Sequence, residues 1–88
     1  MVIDEMTPKE QIQTIATNIR ARRKELGFTQ GVVAKSVGVS AAYVSQIENL
    51  ERVPDVELAS EIAEALGTTL GALVTPGVFS KPVLTEFN

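Results

Sequence analysis

Ala42, Ser45, Gln46 and Asn49 are spaced three, four and seven residues apart, so on a helix turning about 100° per residue they share one stripe. Each is small or polar. Such a stripe can lie deep in a groove and read what the groove presents. The Gln46 carboxamide donates and accepts at once, so it can pair bidentately with N6 and N7 of an adenine. Ser45 can donate or accept, and the methyls of Ala41 and Ala42, at the start of the same helix, suit thymine methyl groups. Tyr43 lies on the flank, within reach of a phosphate or a base edge. This chemistry recognises a surface and breaks no bond. On an isolated helix the same stripe would be an ordinary solvated face, so what positions it decides between the two.

The positioning elements lie in residues 30–49, QGVVAKSVGVSAAYVSQIEN. The spacing predicts a helix, a three-residue turn and a second helix. Val33, Ala34 and Val37 form the inner face of the first helix, with Ala34 small where the two helices must approach closely. Gly38 sits at the sharp turn, where a residue without Cβ takes positive φ freely. Val39 plugs the corner, and Ser40 is placed to cap the second helix. Val44 and Ile47 point back onto the first. Together these constraints define a helix-turn-helix unit, whose second helix enters the major groove.

The flanking sequence agrees with the unit. From Ile19 to Val74, through IRARRKELGFTQ, the unit itself and PDVELASEIAEALGTTLGALV, the chain resembles the Cro/cI-like, xenobiotic-response-element type of helix-turn-helix regulators. The resemblance covers roughly two-thirds of the chain. It implies an all-α, compact five-helix lambda-repressor-like domain that binds operator DNA, usually as a dimer. It also implies that Gln30 bonds a phosphate and buttresses the recognition helix, and that Asn49 and Arg52 hold backbone phosphates. Thr29, the expected cap of the first helix of the unit, and Tyr43 complete the expected phosphate contacts. One departure stands out. The family usually has Gly where this chain has Leu50, so either Asn49 takes the left-handed conformation or the recognition helix runs on.

The basic run Arg20, Arg22, Arg23, Lys24 divides by helical spacing. Arg23 is four residues after Ile19 and Glu48 is four after Val44, which places both on inward faces. An Arg23–Glu48 ion pair joining the first and third helices is expected, and the resemblance implies the same pairing. Arg20, Arg22 and Lys24 point elsewhere, as solvated or phosphate-steering charges.

Eighty-eight residues suit one small domain. The net charge of −3 is unevenly spread. Residues 1–17 sum to −2 (Lys9 against Asp4, Glu5, Glu10), and residues 53–88 to −4 (Lys81 against Asp55, Glu57, Glu61, Glu64, Glu86). Residues 18–52 sum to +3, from the basic run with Lys35 and Arg52 against Glu25, Glu48 and Glu51. The positive excess therefore coincides with the helix-turn-helix, as DNA binding requires. The chain has no Cys and no His, hence no disulfide, no thiolate metal site and no histidine base. No cofactor or metal is expected, and an enzyme is disfavoured. The acidic start MVIDEM is unlike a secretory signal, and no segment is apolar enough to span a bilayer, which fits a cytoplasmic protein.

Outside the unit, Thr7, Pro8 and Glu10 mark a helix start with a capping box. Ile12, Ile15, Ile19 and Leu26 form its core stripe, and Gly27 ends it with Phe28 folding back. Asp55 caps a fourth helix with Leu58, Ala59, Ile62 and Leu66 inward, and Thr69 opens a fifth over Leu70–Val74. Residues 1–75 read as the DNA-binding domain and 76–88 as an apolar, extended tail. Leu73, Val74, Val78, Phe79, Val83, Leu84 and Phe87 form a candidate homodimer interface, unless the tail folds over its own core. The function expected is a sequence-specific transcriptional regulator repressing from a near-palindromic operator, with helix 41–49 in the major groove and possible control by a regulatory partner protein. The rival reading is a protein-interaction module, such as an antitoxin-like adaptor on the same fold.

Overall fold

The Thr7 hydroxyl accepts from the Glu10 backbone N–H at 3.1 Å, and the Glu10 carboxylate accepts from the Thr7 N–H at 3.0 Å. This capping box starts α1 (Pro8–Glu25) in the computed structural model, which describes residues 6–79. Thr29, Ser40, Asp55 and Thr69 cap α2 (Gln30–Val37), α3 (Ala41–Glu48), α4 (Val56–Ala65) and α5 (Leu70–Leu73) by the same side-chain contact. Each cap of this kind stabilises its helix by about 1 kcal/mol. Among the described residues all regular structure is helical.

Helix α1 ends at a Schellman turn. Gly27, at φ 75°, lets Phe28 N–H donate to the Arg23 carbonyl and Gly27 N–H to that of Lys24, both at 3.0 Å. The turn leaves Leu26 36% exposed, so the core stripe of α1 stops short of it. Phe28 packs against the core in its place.

The core gathers Ile19 from α1, Val33 and Ala34 from α2, Val44 and Ile47 from α3, Ile62 and Leu66 from α4 and its end, and Leu73 from α5. Helix α2 packs on α3 and α4, while α1 packs on α3 and α5. Leu73, expected at an interface between copies, is completely buried here and has no surface to offer a partner. It is held there by Asn18 of α1, whose amide donates to the Leu73 carbonyl at 2.8 Å and to that of Thr75 at 2.9 Å. The Leu73 carbonyl is one that the end of a four-residue helix leaves without a backbone partner, while that of Thr75 also accepts from Val78 N–H at 3.4 Å. Arg22 makes a parallel tie. Its Nε donates to the Leu66 carbonyl at 2.9 Å, and its guanidinium lies 5.7 Å from the centre of the Phe79 ring. Arg22 is thus a strut between α1, the end of α4 and the following segment. Phe79 packs onto the core, whereas Val74 and Val78 remain exposed. The expected contacts at Val83, Leu84 and Phe87 lie outside the described residues.

Helix α3 closes differently from either expectation. Asn49 has φ −93°, and the helix ends at Glu48. Leu50 itself takes the left-handed conformation, with φ 66°. Its N–H donates to the Ile47 carbonyl at 3.2 Å, and Glu51 N–H to that of Gln46 at 2.8 Å. This is the Schellman pattern with leucine in the position glycine usually fills, a conformation that costs an L-residue roughly 1–2 kcal/mol. The Leu50 side chain, 47% exposed, lies with Val53 over a hollow lined by Ile12 and Gln13 of α1.

Candidate nucleic-acid interface

The inward side of α3 is built around one carboxylate. Arg23 Nε donates to Glu48 Oε2 at 2.7 Å and Arg23 Nη2 to Glu48 Oε1 at 3.0 Å, a bidentate fork. The third nitrogen of Arg23, Nη1, donates to the Phe28 carbonyl at 2.9 Å. Gln30 Nε2 donates to Glu48 Oε1 at 3.0 Å. Three helices therefore converge on Glu48, and the fork holds α3 at a fixed angle to α1 and α2. Hydrogen bonding to Glu48 raises the Arg23 pKa above its ordinary value despite the opposing effect of burial. Among the described residues no buried side-chain nitrogen or oxygen lacks a partner.

Gly38, at φ 81°, turns the chain between α2 and α3, and Val39 N–H returns to the Ala34 carbonyl at 3.0 Å. With the inward side occupied by Val44, Ile47 and Glu48, the opposite stripe faces out. Ala41, Ala42 and Asn49 are exposed, while Ser45 and Gln46 are half-buried. Asn49 reaches back to the Ser45 hydroxyl at 3.4 Å. The Thr29 hydroxyl, exposed at the start of α2, accepts from Val32 N–H as the helix cap.

Two residues expected to act separately are joined. Arg52 returns from the loop so that its Nε donates to Gln46 Oε1 at 2.9 Å, and its guanidinium lies 4.7 Å from the centre of the Tyr43 ring. Tyr43, Gln46 and Arg52 thus form one partly exposed cluster on the outward flank of α3. The adenine pairing expected of Gln46 uses both ends of its amide, and here the oxygen is already engaged. The sequence offered no sign of this link, because six residues and a left-handed turn separate the partners. Nor did it single out Asn18. A lone Asn within an apolar helical stripe was the available signal.

A tight helix-turn-helix, its reading helix braced from behind by an ion pair and presenting a small, polar face, defines a DNA-binding domain. Residues 19–73 match the family described as helix-turn-helix. An uncharacterized HTH-type transcriptional regulator of Sinorhizobium fredii is 39% identical over 62 residues, covering 70% of this chain and 80% of that protein. An immunity repressor protein of Bacillus phage phi105 is 31% identical over 75 residues, covering 85% of this chain. The match takes in 52% of that repressor, so the chain spans about half its length. Among solved structures, the DNA-binding domain of the P22 c2 repressor is 33% identical with a TM-score of 0.70, covering 78% of this chain and 91% of that one. The hypothetical transcription factor NHTF from Neisseria shares the fold at 24% identity, with a TM-score of 0.73 and coverage of 86% and 87%. The chain belongs to the helix-turn-helix family. It is a DNA-binding transcriptional regulator of the repressor-like kind, and this membership sets the enzyme reading aside. No described helix is long and apolar enough to cross a membrane.

Proposed function

We propose that the protein represses transcription by binding a near-palindromic operator as a homodimer, with α3 of each copy in the major groove. The observation that carries this reading is the two-sided build of α3, with its inward side locked by Arg23, Glu48 and Gln30 and its small, polar stripe turned away from the core. Base contacts come from Ala41, Ala42, Ser45 and Gln46. Thr29, Gln30, Tyr43, Asn49 and Arg52 meet phosphates, with Gln30 also serving as the buttress behind α3. A single eight-residue helix makes few base contacts, so useful affinity requires two half-sites, with centres about 34–36 Å apart. Residues 1–75 act as the DNA-binding unit, and pairing of copies runs through Val74, Val78 and the segment 76–88.

Selection of bound sites from random duplex DNA tests the proposal. The expected product is a two-fold symmetric motif whose binding weakens steeply with salt, as phosphate neutralisation demands. An asymmetric single site would refute the dimer. Absence of any salt-sensitive duplex binding would favour a protein-interaction module on this fold.

A further inference from the structure

We infer that Arg52 sets which base Gln46 reads, turning it from an adenine reader into a guanine reader. This rests on the reading of α3 as the groove-entering helix.

A glutamine amide is ambivalent, with an acceptor oxygen and a donor nitrogen. Adenine matches it with one donor, N6–H, and one acceptor, N7. Guanine presents two acceptors, O6 and N7. In this protein the ambivalence is removed before DNA arrives. Arginine has only donors, so its partner atom on Gln46 must be the oxygen. Arg52 Nε holds that oxygen at 2.9 Å, and the Tyr43 ring, 4.7 Å from the guanidinium carbon, holds Arg52. The left-handed turn at Leu50 brings residue 52 back over residues 43 and 46. Gln46 Nε2 has no partner among the described residues. Since no fully buried polar side-chain atom among the described residues is unpaired, that nitrogen is in contact with solvent. The Gln46 oxygen keeps a second lone pair, but the Arg52 bond holds it on the Arg52 side, so the amide leads into the groove with its two NH2 donors. The NH2 fits the O6 and N7 of guanine, whereas adenine would set its own N6–H2 against it unless the amide turned out of the orientation that Arg52 holds.

Site selection with three proteins tests the assignment: wild type, Arg52→Ala and Gln46→Glu. Wild type is expected to favour guanine over adenine by about threefold to fivefold at one pair of each half-site, as much as an exposed contact that adenine must displace can supply. Arg52→Ala frees the amide oxygen, and adenine should become at least as good as guanine at that pair alone. Gln46→Glu keeps a partner for Arg52 but turns an oxygen outward, so the preference should pass to cytosine, whose N4–H2 donates. Unchanged guanine preference in Arg52→Ala, or a wild type preferring adenine, would overturn the inference. So would cytosine failing to gain in Gln46→Glu. A separate readout needs no DNA. In the free protein the Arg52 Nε–H resonance should be slowed in exchange relative to the other exposed arginine, Arg20, and a rate equal to that of Arg20 would show that the lock is absent. If wild type enriches no sequence at all, the groove-reading role of α3 and the base assignment fall together, whatever the resonance shows.

Discussion

Helix α3 is gripped by an arginine on each side, and the two grips differ in surroundings more than in chemistry. On the inward side Arg23 forks onto Glu48, whose side chain is only 2% exposed, with Gln30 and the Phe28 carbonyl filling the remaining hydrogen bonds. On the outward side Arg52 gives one hydrogen bond to a neutral amide and rests on an aromatic ring, in contact with water. Removing one partner of the buried fork leaves a charge without solvent or counter-charge. Removing one partner of the exposed cluster leaves groups that water satisfies. The inner grip therefore belongs to the fold, and the outer one is free to serve recognition.

The sharpest way to break this contrast is Glu48→Ala, expected to destabilise the protein by roughly 3–5 kcal/mol because Arg23 stays buried and unpaired. A thermal melt reads it, and replacing Arg23 and Glu48 together by apolar residues should be milder than Glu48→Ala alone. A melt of Glu48→Ala within a degree or two of wild type would erase the distinction between the two sides. Next, Asn18→Ala should cost about 1–3 kcal/mol, since the buried Leu73 carbonyl at the end of α5 loses its donor. This extends the same rule to a neutral group, and urea unfolding with an unchanged m-value would register it. Leu50→Gly, at the joint between the two sides, should stabilise by about 1 kcal/mol by relieving the left-handed leucine. A lower urea midpoint for Leu50→Gly would mean that the hollow under Leu50 matters more than its backbone. The smallest effect on stability is expected for Arg52→Ala, below about 1 kcal/mol as for exposed polar contacts. That variant should still lose DNA affinity and reduce the salt slope by about 1. A large stability loss there would make the outer grip structural too.

The framework was legible in the sequence because its signals are local. Thr7, Thr29, Ser40, Asp55 and Thr69 each act within three residues, and Gly27 and Gly38 mark turns that need positive φ. The inward placement of Arg23 and Glu48 followed from helical spacing. What escaped depends on where distant segments meet. Leu73 reads as apolar surface near a chain end until α1 is laid against it. Arg22 looks like any basic residue until the Leu66 carbonyl is beside it. Leu50 escaped for another reason. Local propensity argues against a left-handed leucine, yet the closing bonds of α3 hold it there.

The Asn18 clasp has a consequence for the order in which the molecule assembles. Its hydrogen bonds span 54 to 57 residues of chain, whereas α2 and α3 meet across a three-residue turn. Closing a long loop must be offset in entropy before its contacts contribute. Four residues of helix cannot nucleate alone in water. Helix α5 is therefore expected to dock after the helix-turn-helix has formed and to undock before it. Each such opening uncovers Leu73 and the α1 surface beneath it without disturbing α3. Amide exchange should be fastest in α5 and slowest around Ile19 and Val44, a gradient running from α3 toward α5.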